Sequence, residues 1–129
     1  MGSTAYSLRD MIMGVSEKWN ALTPLMIQMG IIEDLLHRKL VLSEKGGPSF
    51  TVAISPQGFE VEEGEDPYAH ARMRTTREQR EKIFGGTRTY ATIFRFDLAP
   101  ERDAVPLHEM ALVERFSTII QALVNLPQG

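Results

Sequence analysis

The chain has 129 residues, 43% of them apolar and 24% charged, with a formal net charge of −3 and no cysteine. This length suits a single domain that can bury its own core. The acidic balance argues against nucleic acid as a default partner, and the missing cysteines exclude disulfides and thiolate metal sites and point to a reducing, cytoplasmic setting.

"MGSTAYSLRD" lacks the basic start and apolar run of a secretory signal. No apolar stretch reaches the roughly 20 residues that span a bilayer. Residues 7–20 read as a helix: Ser7 caps it with Asp10 three residues on, and Leu8, Met11, Ile12, Val15 and Trp19 form one apolar stripe. A second helix is expected from Thr23, with Pro24 at its first position. Its broad apolar arc, Leu25, Met26, Ile27, Met29, Ile31, Ile32, Leu35 and Leu36, implies burial on more than one face or a cavity beneath it. The pair occupies 7–37.

From 39 to 75 the period changes to two. "KLVLSE" and "SFTVAIS" flank the hairpin signal "KGGP", "SPQG" is a second turn, "FEVEE" follows, and "YAHARMRT" is a fourth strand after "GEDP". Phe50, Val52, Ile54, Phe59, Val61, Ala69, Ala71 and Met73 fall on the inward face. The reading is an antiparallel meander.

Residues 76–86 return to helix, with Thr75 as cap, Glu78 at the capping-box position, and Gly85 and Gly86 as the stop. Between 87 and 107, "TRTYATIFRFDL" suits either a helix or a strand. "HEMALVERFSTIIQALV", residues 108–124, is a closing helix with a wide apolar stripe.

Charge is uneven. Residues 72–95 hold seven basic and two acidic side chains, while 1–71 hold five basic and ten acidic. The basic stretch has no interleaved aromatics of the kind that stack on bases, so nucleic acid is not expected. A solvated helix face is the plainer reading, and Arg77 and Arg80 are the candidates for an anionic headgroup or membrane surface. His37, His70 and His108 show no paired metal-ligand spacing, and no phosphate loop or nucleophile elbow appears. No metal and no cofactor is expected.

The stretches "SFTVAISPQGFEVEEGE", "DPYAHARMRTTREQREKIFGG" and "MALVERFSTIIQAL" together resemble the sterol carrier protein type 2 family of lipid-binding domains, from about Leu40 to Leu126. The family's Gly-Lys-Leu-x-Ile-x-Gly strand is replaced here by "FRFDLAPERDAVPLHE". The resemblance implies a five-stranded sheet with helices on one face and a hydrophobic tunnel. It also implies non-covalent binding of a fatty acid, sterol, phospholipid or acyl-CoA. By position it carries over Ile83, Phe84, Phe94, Leu112, Phe116, Ile119 and Ile120 as apolar lining; the inward strand faces add Phe50, Val52 and Met73.

The expectation is therefore a single α+β domain over 1–129, with an antiparallel sheet of about five strands, helices packed on one face and an apolar pocket between them. Its expected role is lipid binding or transfer, not catalysis, with a homodimer left open. The rivals are an enzyme using Asp34, Asp97 or His37 as a base buried among apolar walls, and a filled interaction domain.

Overall fold

The computed structural model describes residues 7–90 and 107–126. Helix α1 (Leu8–Gln28) is followed by strands β1 (Lys39–Glu44), β2 (Ser49–Ser55), β3 (Gly58–Glu63) and β4 (Ala71–Thr75), then α2 (Arg77–Phe84) and α3 (Leu107–Val124). The α+β class expected from the sequence holds. The segment 91–106, where a fifth strand was expected, lies outside the described residues.

The capping box of α1 forms as read: the Asp10 amide donates to Ser7 Oγ and the Ser7 amide to Asp10 Oδ2. The expected break at Thr23 does not form. Residues 7–20 and the segment after Thr23 are one helix, with Pro24 inside it. Thr23 is not a cap: it is buried, and its hydroxyl donates to the Trp19 carbonyl one turn back. The helix stops instead at Gly30, whose φ of 70° closes a Schellman motif. The Ile31 amide donates to Met26 O and the Gly30 amide to Ile27 O. Ile32 and Leu35, which continue the apolar pattern, reach the core from the turns that follow.

The sheet order is β3-β2-β1-β4. The two hairpins are antiparallel as expected, but β4 does not extend the meander. It crosses to the far edge and pairs parallel to β1, so the sheet is mixed. Val61, Val52, Leu40 and Ala71 lie side by side across the four strands. The connection 64–70 therefore crosses three strand spacings, about 14 Å, and steps back about 7 Å along the strand. Seven extended residues reach roughly 23 Å, which suffices without a helix.

That connection covers the face opposite the helices. The Thr51 hydroxyl donates to Gly64 O and accepts from the Asp66 amide, and Thr51 and its neighbour Val41 are both buried. On the other face α1 packs against β3 and α3 against β4, with α2 against both helices. Trp19, Phe59 and Phe116 meet at its centre, with Trp19 5.4 Å from each of the other two rings. Phe59 is held there because its amide donates to Asn20 Oδ1 on α1.

Candidate functional site

The residues expected to line a pocket divide in two. Phe50 and Val52 on β2, Met73 on β4, Ile83 and Phe84 on α2, and Phe116, Ile119 and Ile120 on α3 are all buried in one contiguous core. Leu112 is half-buried and packs on its edge. Phe94 lies outside the described residues.

The two arginines also part company. Arg77 is exposed and pairs with Glu81 at 3.5 Å. Arg80, expected on the wet side, is only 3% exposed and pairs with Glu44 at the end of β1. The reason is a one-residue shift. Thr75 closes β4, and Thr76 caps α2 in a box with Gln79, so neither Thr75 nor Glu78 plays the expected capping role. Gln79, Arg80, Ile83 and Phe84 then form the inward stripe.

An apolar concavity opens at the surface, between the last turns of α1 and the outer side of α3. Leu22, Leu25, Met26, Met29 and Ile31 form one wall, and Ile119, Ala122, Leu123 and Leu126 the other, around about 260 Å³. The Schellman turn builds the near end, since it folds Ile31 back over Met26, and both line the groove. Leu25, Met29 and Leu126 are 50%, 63% and 49% exposed. A large apolar side chain left this open is uncommon in a cluster, and such clusters mark binding surfaces. Ile119 is the one residue shared with the expected lining. The others went unselected as lining, although the broad arc of Leu25, Met26, Met29 and Ile31 carried the signal.

Among the described residues two polar side chains reach the groove, and both are engaged. Arg115 donates to the Ile31 carbonyl and faces Asp34 at 3.4 Å. The Thr118 hydroxyl donates to Glu114 Oε2.

Further clefts open elsewhere among the described residues. One of about 420 Å³ lies between α1, α2 and α3, floored by Met11, Gly14, Val15, Phe84 and Val124. One of about 570 Å³ brings together Arg38, Tyr68, His70, His108, Glu109 and Leu112. In it the His70 Nδ1 accepts from the Lys39 amide. The third, of about 520 Å³, is polar and surrounds the β1–β2 turn.

Among the described residues no group of three or more His, Asp and Glu side chains is arranged to hold a metal. Asp34 and His37, two of the candidate bases, are exposed, so neither sits among apolar walls as a base on an apolar substrate requires; Asp97 lies outside the described residues. No helix among the described residues is long and apolar enough to cross a membrane.

No known family model matches the chain, and no curated protein matches its sequence. A solved structure does match in fold: a protein titled UbiJ-SCP2 ubiquinone synthesis protein, with a TM-score of 0.63 over 95% of this chain and 99% of that one, at 15% identity. The chain thus has the fold of a sterol-carrier-type domain, as the resemblance implied.

Proposed function

We propose that this protein binds an apolar, lipid-like ligand without transforming it, and that the groove between α1 and α3 is the site or its mouth. One observation carries this reading. Nine apolar side chains converge on a groove whose two polar members, Arg115 and Thr118, are already hydrogen-bonded within the protein. Ligand sites are concave and mostly apolar, commonly about 300–1,000 Å³. At 260 Å³ this groove suits one chain or ring of a lipid. Methionines on its wall, Met26 and Met29, adapt to irregular apolar shapes.

The likeness in fold supports the reading, because the similar structure bears the name of a protein of ubiquinone synthesis, and ubiquinone is itself a lipid. The resemblance to sterol carrier domains gives the same ligand class: fatty acid, sterol, phospholipid or acyl-CoA. The buried positions Phe50, Val52, Met73, Ile83, Phe84, Phe116 and Ile120 belong in this reading to the packed core that carries the groove. Arg77 stays the candidate for contact with an anionic surface.

Native mass spectrometry before and after solvent extraction tests the proposal, together with Ala122→Phe. Ala122 is exposed and lines the groove, so the larger ring fills it from outside without replacing a buried side chain. The expected result is a co-purifying apolar mass that extraction removes and that Ala122→Phe lacks, at an unchanged melting temperature. A wild-type protein that is empty and takes up no fatty acid, sterol or long-chain alcohol overturns it.

A further inference from the structure

Among the described residues the groove holds one formal charge, Arg115, and its position decides what the far end of a ligand can be. Arg115 is on α3, one turn before Ile119, where the groove meets the turn after α1. Its guanidinium is held from two sides: Nη2 donates to the Ile31 carbonyl, and Nε lies 3.4 Å from Asp34 Oδ2 and 3.5 Å from Oδ1. Asp34 belongs to the same turn segment as Ile31, so folding alone places a carboxylate beside the arginine.

A fatty acid entering this groove would bring a second carboxylate to a cation that already has one. It would have to displace Asp34, or take a free edge of the guanidinium with a like charge close by, which weakens its binding. Thr118 offers little compensation, because its hydroxyl is turned to Glu114. An uncharged head meets neither obstacle. A hydroxyl or carbonyl needs only one hydrogen bond from the guanidinium, whose planar fork carries five donors.

Resting on the reading of the groove as a lipid site, we propose that Asp34 is a specificity-determining residue. By neutralising Arg115 it selects single-chain lipids with uncharged heads, such as long-chain alcohols, aldehydes and prenols, over fatty acids.

Titration calorimetry with decanol and decanoate at neutral pH tests this in wild type, Asp34→Asn, Arg115→Met and the double variant. Asp34 and Arg115 are both partly exposed, so a pair of this kind contributes up to about 1 kcal/mol, or roughly fivefold in affinity. Wild type is expected to favour decanol. Asp34→Asn raises decanoate affinity roughly fivefold and leaves decanol within about twofold. The gain disappears in the double variant, where no cation remains. Equal decanoate affinity in wild type and Asp34→Asn overturns the role of Asp34 while leaving the groove intact. Failure of wild type to bind either compound overturns the groove reading itself.

Discussion

Two glycines show how the same residue type serves opposite ends. Gly14 sits in the middle of α1, where glycine costs about 0.5–1 kcal/mol against alanine. A Cβ there would meet no atom within 4 Å, because the position floors the cleft between α1, α2 and α3. Gly58 starts β3 with φ 124°, and a Cβ would collide with the Asn20 side chain that receives the Phe59 amide. Gly14→Ala is therefore expected to stabilise the protein by up to about 1 kcal/mol. Gly58→Ala is expected to destabilise it by more than that, through backbone strain and a displaced Asn20. Urea denaturation of both variants checks the opposite signs, and a loss of stability on Gly14→Ala would show that the cleft is not open. The turn at "SPQG" was readable from sequence, but the reason only glycine fits was not, because Asn20 comes from 38 residues earlier.

At the level of elements, the ends were decided by groups that pattern alone does not rank. The apolar arc from Leu25 to Leu36 runs through Gly30 because the residues after the helix are buried too. Periodicity therefore reads one continuous second helix where the chain has a stop. Thr75 and Thr76 are adjacent and equally able to cap. The pairing of β4 up to Thr75, opposite Glu44, consumes the first of them. That choice turns Arg80 inward to Glu44 and leaves Arg77 outside with Glu81. Breaking a buried pair by removing one partner costs about 3–5 kcal/mol, whereas an exposed i, i+4 pair contributes about 0.3–0.5 kcal/mol. Glu44→Ala is thus expected to lower the unfolding free energy by roughly 3 kcal/mol and Arg77→Ala by at most about 0.5 kcal/mol. Equal, small losses in denaturant titrations would mean that Arg80 does not depend on Glu44 for its place in the core.

For the whole molecule, the class and the order from β1 to α3 could be read in the sequence, because alternation marks the strands and the apolar stripe marks α3; the two helices expected before them are one. The position of β4 could not. "GEDP" has turn chemistry whether the next strand returns beside β3 or crosses to β1, and the inward set Ala71 and Met73 is the same in both cases. The candidate groove was little legible for a related reason: apolar residues announce themselves, but only packing separates Phe116 in the core from Leu25 at the groove. The crossover is fixed by Asp66. Its carboxylate accepts from the Tyr68 amide at 2.8 Å and from Lys39 Nζ at 2.9 Å. The Tyr68 amide first, and the Lys39 ammonium second, hold the Asp66 carboxyl below the usual range, and the same bond holds Lys39 above its own. A lowered carboxyl pKa gives a contribution that is complete above the unfolded value, about 3.9, and is lost as pH falls through the lower folded one. Lys39 contributes through neutral pH and loses its share only as pH rises through its raised value, above about 10.4. Asp66→Asn keeps an acceptor for the Tyr68 amide but has no charge to titrate. Its melting temperature is expected to lie below wild type at neutral pH, with the gap closing as pH drops below about 3.9. Lys39→Met is expected to retain the larger part of the acid dependence, since the amide is the greater cause. Thermal unfolding of the three proteins between neutral and acid pH checks this. A gap that stays constant into acid would show that the Asp66 charge does not hold the crossover in place.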